Sequence, residues 1–222
     1  MNEPIAIIIP TRNRFNKLKR CLLNLEEVDY PKKEILVVCD DDLETYNKLM
    51  LNPVDDIKLL LTERLEFVGA VRYGIKRCES DFFVYYNDDM LMDVNCLDVA
   101  IREFNDKFKD GIGLVGFDDS INLFIGTVGL TTKKTVKRFD AFPDAYIHFY
   151  SDTELGLRCR KAGCFFWSHD AKVDHIHPIT KRAILDPTYI DSSKNLEHDR
   201  RSFVNRNGNY SHQSRDAIER GL

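Results

Sequence analysis

No apolar run in this sequence is long enough to cross a bilayer. The most apolar N-terminal stretch, Ile5 to Ile9, falls far short of the ~20 residues a spanning helix needs. No basic region precedes it, so neither a membrane span nor a signal peptide is expected. Positive charge is not in excess either: 32 Lys and Arg stand against 36 Asp and Glu, a net charge of -4. That excludes a global polycation for nucleic acid or an anionic membrane. The six cysteines (Cys21, Cys39, Cys78, Cys96, Cys159 and Cys164) form no Cys-x-x-Cys pair and have no zinc-like spacing. Several lie in apolar strings, where a free thiol packs as a small hydrophobe, and a reducing cytoplasm is the expected setting. Glycine is missing where nucleotide-binding loops need it. No Gly-x-Gly-x-x-Gly follows a strand, which disfavours a Rossmann dehydrogenase. Pro10-Thr11-Arg12-Asn13-Arg14 has no glycine, which argues against the phosphate loop of a nucleotidyltransferase. Repeats and low-complexity linkers are absent as well.

What is present is the composition of an ordinary globular chain, 43% hydrophobic and 31% charged, able to bury a sizeable core. Ile5-Ala6-Ile7-Ile8-Ile9 and Ile35-Leu36-Val37-Val38-Cys39 are short continuous apolar runs, the pattern of parallel strands covered on both faces. Ile57 to Leu61 and Asp81 to Tyr86 read as further strands. Phe15, Leu18, Leu22 and Leu25 mark one face of a helix, and Val68 to Cys78 reads as another. Strand and helix therefore alternate. The expected fold is α/β, a doubly wound, mostly parallel sheet with helices on both faces. Ile112 to Val115, Ile121 to Thr127, Phe165 to Trp167 and Ala171 to His177 look extended. Ser151 to Ala162 reads as a helix, with Ser151 as its cap, Glu154 completing a capping box and Gly163 closing it. One domain over 1–180 is expected, followed by a tail over 181–222 that is either helical and packed on the domain or a flap.

In such sheets, ligands bind beyond the carboxyl ends of the strands. The second strand ends in Asp40-Asp41-Asp42 and the fourth in Asn87-Asp88-Asp89. Either cluster alone is what any turn carries. The two together favour a site for a cation and phosphates.

The order of these motifs resembles that of the GT-A glycosyltransferases, and among them the inverting family 2. Ile7 to Arg14 looks like the family's opening strand and first loop, and Gly69-Ala70-Val71-Arg72 like its glycine- and arginine-bearing helix start. Phe83 to Asp89 is similar to its fourth strand with a DXD-type metal motif. Asp152 to Arg158 followed by Gly163 looks like its acidic catalytic helix, and Val173-Asp174-His175 like the later strand with a metal-binding histidine. The resemblance runs from about Ile5 to Pro178. It implies a Mn2+- or Mg2+-dependent enzyme that transfers a sugar from a nucleotide-sugar donor, a UDP-sugar foremost, to an acceptor hydroxyl with inversion.

The resemblance also assigns roles. Asp89 contacts the metal. Asn87 stands where the family has aspartate; it offers a carbonyl oxygen but lowers the ligand charge. Asp88 lies on the nucleotide side. His175 is the further metal ligand, and His177, two positions on and so on the same side of a strand, is the alternative, an outer partner or an acceptor contact. Asp152 is the general base; complementarity to the helix dipole is the competing account of an acid there. Glu154 holds the acceptor or supports the helix, and Arg158 is a structural ion-pair partner. Pro10, Thr11 and Arg14 line the uridine pocket. Asp40 contacts base or ribose, unless the match slips by one and puts Cys39 there. Arg72 reaches the diphosphate with its guanidinium fork, or is a solvated helix residue. Trp167, Phe165, Tyr146 or Phe142 line the acceptor pocket, unless they are core. The clusters Lys133, Lys134, Lys137, Arg138 and Arg200, Arg201, Arg206 permit a polyanionic acceptor such as nucleic acid, although such runs are usually solvated surface. A non-catalytic binding module of the same fold is the rival, and Asn87 is its best support.

Overall fold

Alternate residues of the first apolar runs do point to opposite faces, and both faces are buried. In the computed structural model, which describes residues 3–54, 56–119, 126–178 and 181–208, β1 (Ile5–Thr11) is followed by α1 (Phe15–Glu27), β2 (Lys33–Asp40) and α2 (Leu43–Leu51). Then come β3 (Ile57–Thr62), α3 (Glu66–Arg77), β4 (Phe82–Tyr85), β5 (Met90–Met92) and α4 (Cys96–Lys107). The second half holds β6 (Leu114–Asp118), β7 (Gly129–Thr132), α5 (Lys133–Phe139), α6 (Ser151–Lys161), β8 (Phe165–His175), α7 (Pro187–Ser193) and α8 (Leu196–Asn207). Ile5, Ile7 and Ile9 share a core with Leu18, Cys21, Leu22 and Leu25 of α1 and with the buried face of α4. Ala6 and Ile8 share a second core with Val68, Ala70 and Val71 of α3 and Leu155 of α6. Helices therefore cover both faces of the sheet, as the doubly wound pattern requires.

Among the described residues, eight strands form one sheet in the order β3-β2-β1-β4-β7-β6-β8-β5. The first four are parallel neighbours. β7 runs antiparallel between β4 and β6, β8 is parallel to β6, and β5 is antiparallel to β8. The α/β, mostly parallel expectation holds. Phe165 to Trp167 and Ala171 to His175 belong to one strand rather than two extended pieces. Of the expected strand Ile121 to Thr127, residues 121–125 lie outside the described residues. None of the described helices is long and apolar enough to cross a membrane.

The right half of the sheet depends on close backbone approach. A Cβ added to Gly129 would lie 2.5 Å from the Val115 carbonyl oxygen and 3.2 Å from the Gly116 Cα. Both are main chain and cannot swing aside. Gly129→Ala is therefore expected to destabilise the fold by about 1–3 kcal/mol, the usual cost of overpacking, as read from the denaturant midpoint.

Candidate active site

β1, β2 and β4 end at the same edge of the sheet, so the residues at their carboxyl ends converge. Pro10, Thr11, Arg14, Asp40, Asn87, Asp88 and Asp89 line one cleft of about 550 Å³. α6 brings Asp152 to it, and the end of β8 brings His175 and, just beyond, His177. Of the residues named from sequence, these ten are brought together.

Arg14 sits over the acidic pair rather than simply lining a base pocket. Its Nη1 is 2.7 Å from Asp88 Oδ1 and its Nη2 2.9 Å from Asp89 Oδ2. Thr11 Oγ1 donates to Asp88 Oδ2 at 2.8 Å. Burial pushes the Asp88 carboxyl up, Arg14 opposes that, and the neighbouring Asp89 charge adds to it. Burial works against the Asp89 charge too, but His175 and Arg14 outweigh it and hold Asp89 ionised. Asp89 Oδ1 and His175 Nε2 are both buried and face each other at 3.3 Å. Burial alone would lower the His175 pKa; Asp119 and Asp89 raise it to about 9. His177 lies farther out, its ring 5.1 Å from that of His175 and 4.9 Å from that of Tyr189. Burial and the His175 charge lower its pKa.

Among the described residues, no three His, Cys, Asp or Glu side chains are gathered to cage a metal ion. The chemistry of the set still fits a divalent cation. Two buried groups that can ligate a metal, a carboxylate and an imidazole, stand 3.3 Å apart there. Mg2+-type ions are commonly held by one or two carboxylates with substrate phosphates completing the shell.

Asp152 lies in the first turn of α6, half-buried in the cleft wall. Burial raises its pKa to about 6, against hydrogen bonds from the Thr153 and Asp152 backbone N–H groups and the Thr153 hydroxyl. Ser151 does not cap the helix, contrary to expectation. Tyr150 occupies the cap position in the left-handed region at φ 68°, and Ser151 is the first helical residue. Glu154 points away from the cleft and meets Arg158, Arg206 and Asn207. Arg158 is its ion-pair partner within α6, and Arg206 and Asn207 tie it to α8.

Three expectations are corrected. Arg72 does not reach the cleft but pairs with Asp144. Only the start of α3 faces the site, and Arg72 lies almost two turns, roughly 9 Å, down its axis. Cys39 is buried in the core, so no slip of register puts it in the cleft. Asp40 occupies that place, and its carboxylate accepts from the Leu65 and Glu66 N–H groups at 2.5 and 3.0 Å. Finally, Phe142 and Tyr146 belong to the core, the partly buried Phe165 packs against it, and Trp167 packs against Gly116 of β6. Besides His175 and His177, the aromatic residues of the cleft are Phe67, His148, Phe149, Tyr150 and Tyr189 instead.

Tyr189 is the most consequential residue that sequence reasoning missed. Its hydroxyl donates to Asp89 and accepts from Arg14 Nη2 at 2.6 Å, and the Arg14 guanidinium stacks 4.4 Å above its ring. A signal existed. Asp186 followed by Pro187 is a helix start, and Asp186 Oδ1 caps α7 by accepting from Tyr189 N at 3.1 Å. α7 also offers Asp191 to Arg12 Nη2 at 2.8 Å.

Comparisons with known proteins come to the same place. A family model described as Glycosyl transferase family 2 matches residues 6–162. A curated protein of Methanococcus voltae, a dolichyl N-acetyl-alpha-D-glucosaminyl phosphate 3-beta-D-2,3-diacetamido-2,3-dideoxy-beta-D-glucuronosyltransferase, is 30% identical over 125 residues. The match covers 53% of this chain and 39% of that protein, so the chain spans about two-fifths of that relative's length. Among solved structures, the mannosyltransferase PcManGT of Pyrobaculum calidifontis, in complex with GDP-Man and Mn2+, superposes with a TM-score of 0.65 at 15% identity, covering 100% of this chain and 80% of that one. TarS of S. aureus in complex with UDP gives 0.66 at 12% identity, covering 97% of this chain and 69% of that one.

Proposed function

Because the chain belongs to glycosyl transferase family 2 and carries the GT-A fold, we propose that it transfers a sugar from a UDP-sugar to an acceptor hydroxyl with inversion, dependent on Mn2+ or Mg2+. The observation that carries this reading is that one cleft holds both the half-buried carboxylate of Asp152 and the facing Asp89–His175 pair.

Asp89 and His175 hold the cation, and Asn87 lines the same cleft at its edge. When bound, the cation neutralises the charge that grows on the departing diphosphate. Asp152 takes the proton of the acceptor hydroxyl as that oxygen attacks the anomeric carbon. With a pKa of about 6, it is ionised at neutral pH yet basic enough to accept the proton. Attack assisted by a single base inverts the anomeric centre. Pro10, Thr11 and Asp40 line the part of the cleft assigned to the nucleoside. Arg14 carries a fixed positive charge beside the place assigned to the diphosphate. The free thiols support a reducing, cytoplasmic setting. A non-catalytic module is disfavoured, since Asp89, Asp152 and His175 all face one cleft.

The test is thermal unfolding with a panel of nucleotide sugars, with and without manganese. UDP-sugars should raise the midpoint only when the metal is present. His175→Ala should erase that shift and His177→Ala should spare most of it. A UDP-sugar shift of equal size without metal would sink the metal assignment, and a larger loss in His177→Ala would exchange the two histidines.

A further inference from the structure

We propose that α8 is a clamp that positions Asp152, and that Asp199 is the positioning residue at its centre. The proposal rests on Asp152 being the base. Asp199 is fully buried and lies beyond the segment matched by the family model. Its carboxylate collects three consecutive backbone N–H groups: Ile147 N at 2.9 Å on Oδ1, and His148 N and Phe149 N, each at 2.7 Å, on Oδ2. His198 Nδ1 lies 2.9 Å from Oδ1. A buried carboxylate is tolerated only when charge-assisted hydrogen bonds replace its water. The converse also holds: three N–H groups in a row can share one anion only if the backbone is held in one conformation.

That conformation leads directly into the site. His148 and Phe149 line the cleft. The next residue, Tyr150, is the left-handed cap of α6, and Asp152 follows two residues later. The rest of α8 grips the same helix. The Phe203 ring lies 5.2 Å from that of Tyr150, and Arg206 and Asn207 bond Glu154 at 3.1 and 3.2 Å. Positions 199, 203, 206 and 207 follow the i, i+4, i+7, i+8 spacing of one helix face. α8 thus fixes both the entry to α6 and its underside, while none of these four side chains lines the cleft.

Asp199→Asn keeps the shape but cannot present two anionic oxygens to the three N–H groups. Displacing a reacting group by about 1 Å costs on the order of 10²-fold, so kcat should fall roughly 10–100-fold while the UDP affinity measured with manganese stays at the wild-type value. The deciding measurement is a cycle of Asp199→Asn, Asp152→Asn and the double variant. If Asp199 acts through Asp152, its effect on kcat disappears in the Asp152→Asn background. An effect of undiminished size there, or a lowered melting midpoint with wild-type kcat, overturns the clamp. The base reading fails separately, if Asp152→Asn alone transfers sugar at the wild-type rate. If Asp199→Asn does not fold, Phe203→Leu, which loosens Tyr150 and leaves the carboxylate in place, is put through the same cycle and judged by the same outcomes.

Discussion

Asp152→Asn is expected to slow sugar transfer by roughly 10²–10⁴-fold, the usual worth of a general base, with nucleotide-sugar binding unchanged. The amide keeps the size of the carboxylate and can still accept from the Thr153 N–H, which bonds Asp152 Oδ1 at 2.7 Å, but it cannot take a proton. The wild-type rate should rise with pH through about 6, where Asp152 ionises, and level off above it. In the variant that acid limb should vanish. Stability offers a check of opposite sign. Burial raises this carboxyl's pKa above its unfolded value, so its contribution is most favourable at low pH and is lost as pH rises through about 6. Removing the charge should therefore raise the melting midpoint at neutral pH. If the acid served only the helix dipole, the same variant would lose about 0.3–1 kcal/mol and keep its turnover. Product stereochemistry is independent of both: a retained anomeric configuration would remove Asp152 from this role even if the variant were inactive.

The short β5 and β7 went unread, but β1, β2 and β4 were legible in the sequence because they are largely buried on both faces. Such strands must be continuously apolar, and few other elements read that way at five residues. The acidic ends of β2 and β4 were legible for a related reason: charges directly after an apolar strand have only the sheet's edge to occupy. Helix α2 went unread because few of its residues are buried, Thr45 and Leu49 among them, leaving a faint period. α4 has the opposite character. Cys96, Leu97, Ala100, Ile101 and Phe104 line one buried face at helical spacing, a stripe the sequence does display. Arg72 was misplaced because a motif fixes a residue's position along the chain but not its depth along a helix axis. The cleft's aromatic wall and the roles of Tyr189 and Asp199 were not legible. They arise from contacts between segments far apart, such as the 100 residues separating Tyr189 from Asp89, and no local periodicity encodes such a contact. The C-terminal helices show it best. Their surfaces are polar enough to read as a tail, but that polarity is spent on the site: Asp186 on Arg14 and Lys17, Asp191 on Arg12, and Asp199 on the 147–149 backbone.

Asp89→Ala is expected to abolish the metal-dependent part of UDP affinity. The loss should exceed the roughly 10–100-fold that follows removal of a metal's outer partners, because Asp89 is assigned direct contact with the ion. Calorimetry with UDP, in manganese and again in EDTA, measures it. The fold should survive the substitution. The Asp89 main-chain carbonyl, which accepts from Ile176 N at 2.9 Å, is retained, and Arg14 keeps Asp88 at 2.7 Å. The two conditions should move in opposite directions. With manganese the variant binds UDP far more weakly than wild type, since the cation has lost its carboxylate. In EDTA the variant binds at least as well as wild type. A buried negative charge has gone from beside the diphosphate. Arg14 Nη2, which in wild type serves both Asp89 at 2.9 Å and the Tyr189 hydroxyl at 2.6 Å, loses one of its two acceptors and can turn toward phosphate, which its guanidinium fork suits. A structural role for Asp89 predicts no such reversal: a cleft that has merely loosened binds UDP more weakly in both conditions. Equal UDP affinity in manganese and in EDTA for the wild-type protein would rule out a metal at Asp89 altogether.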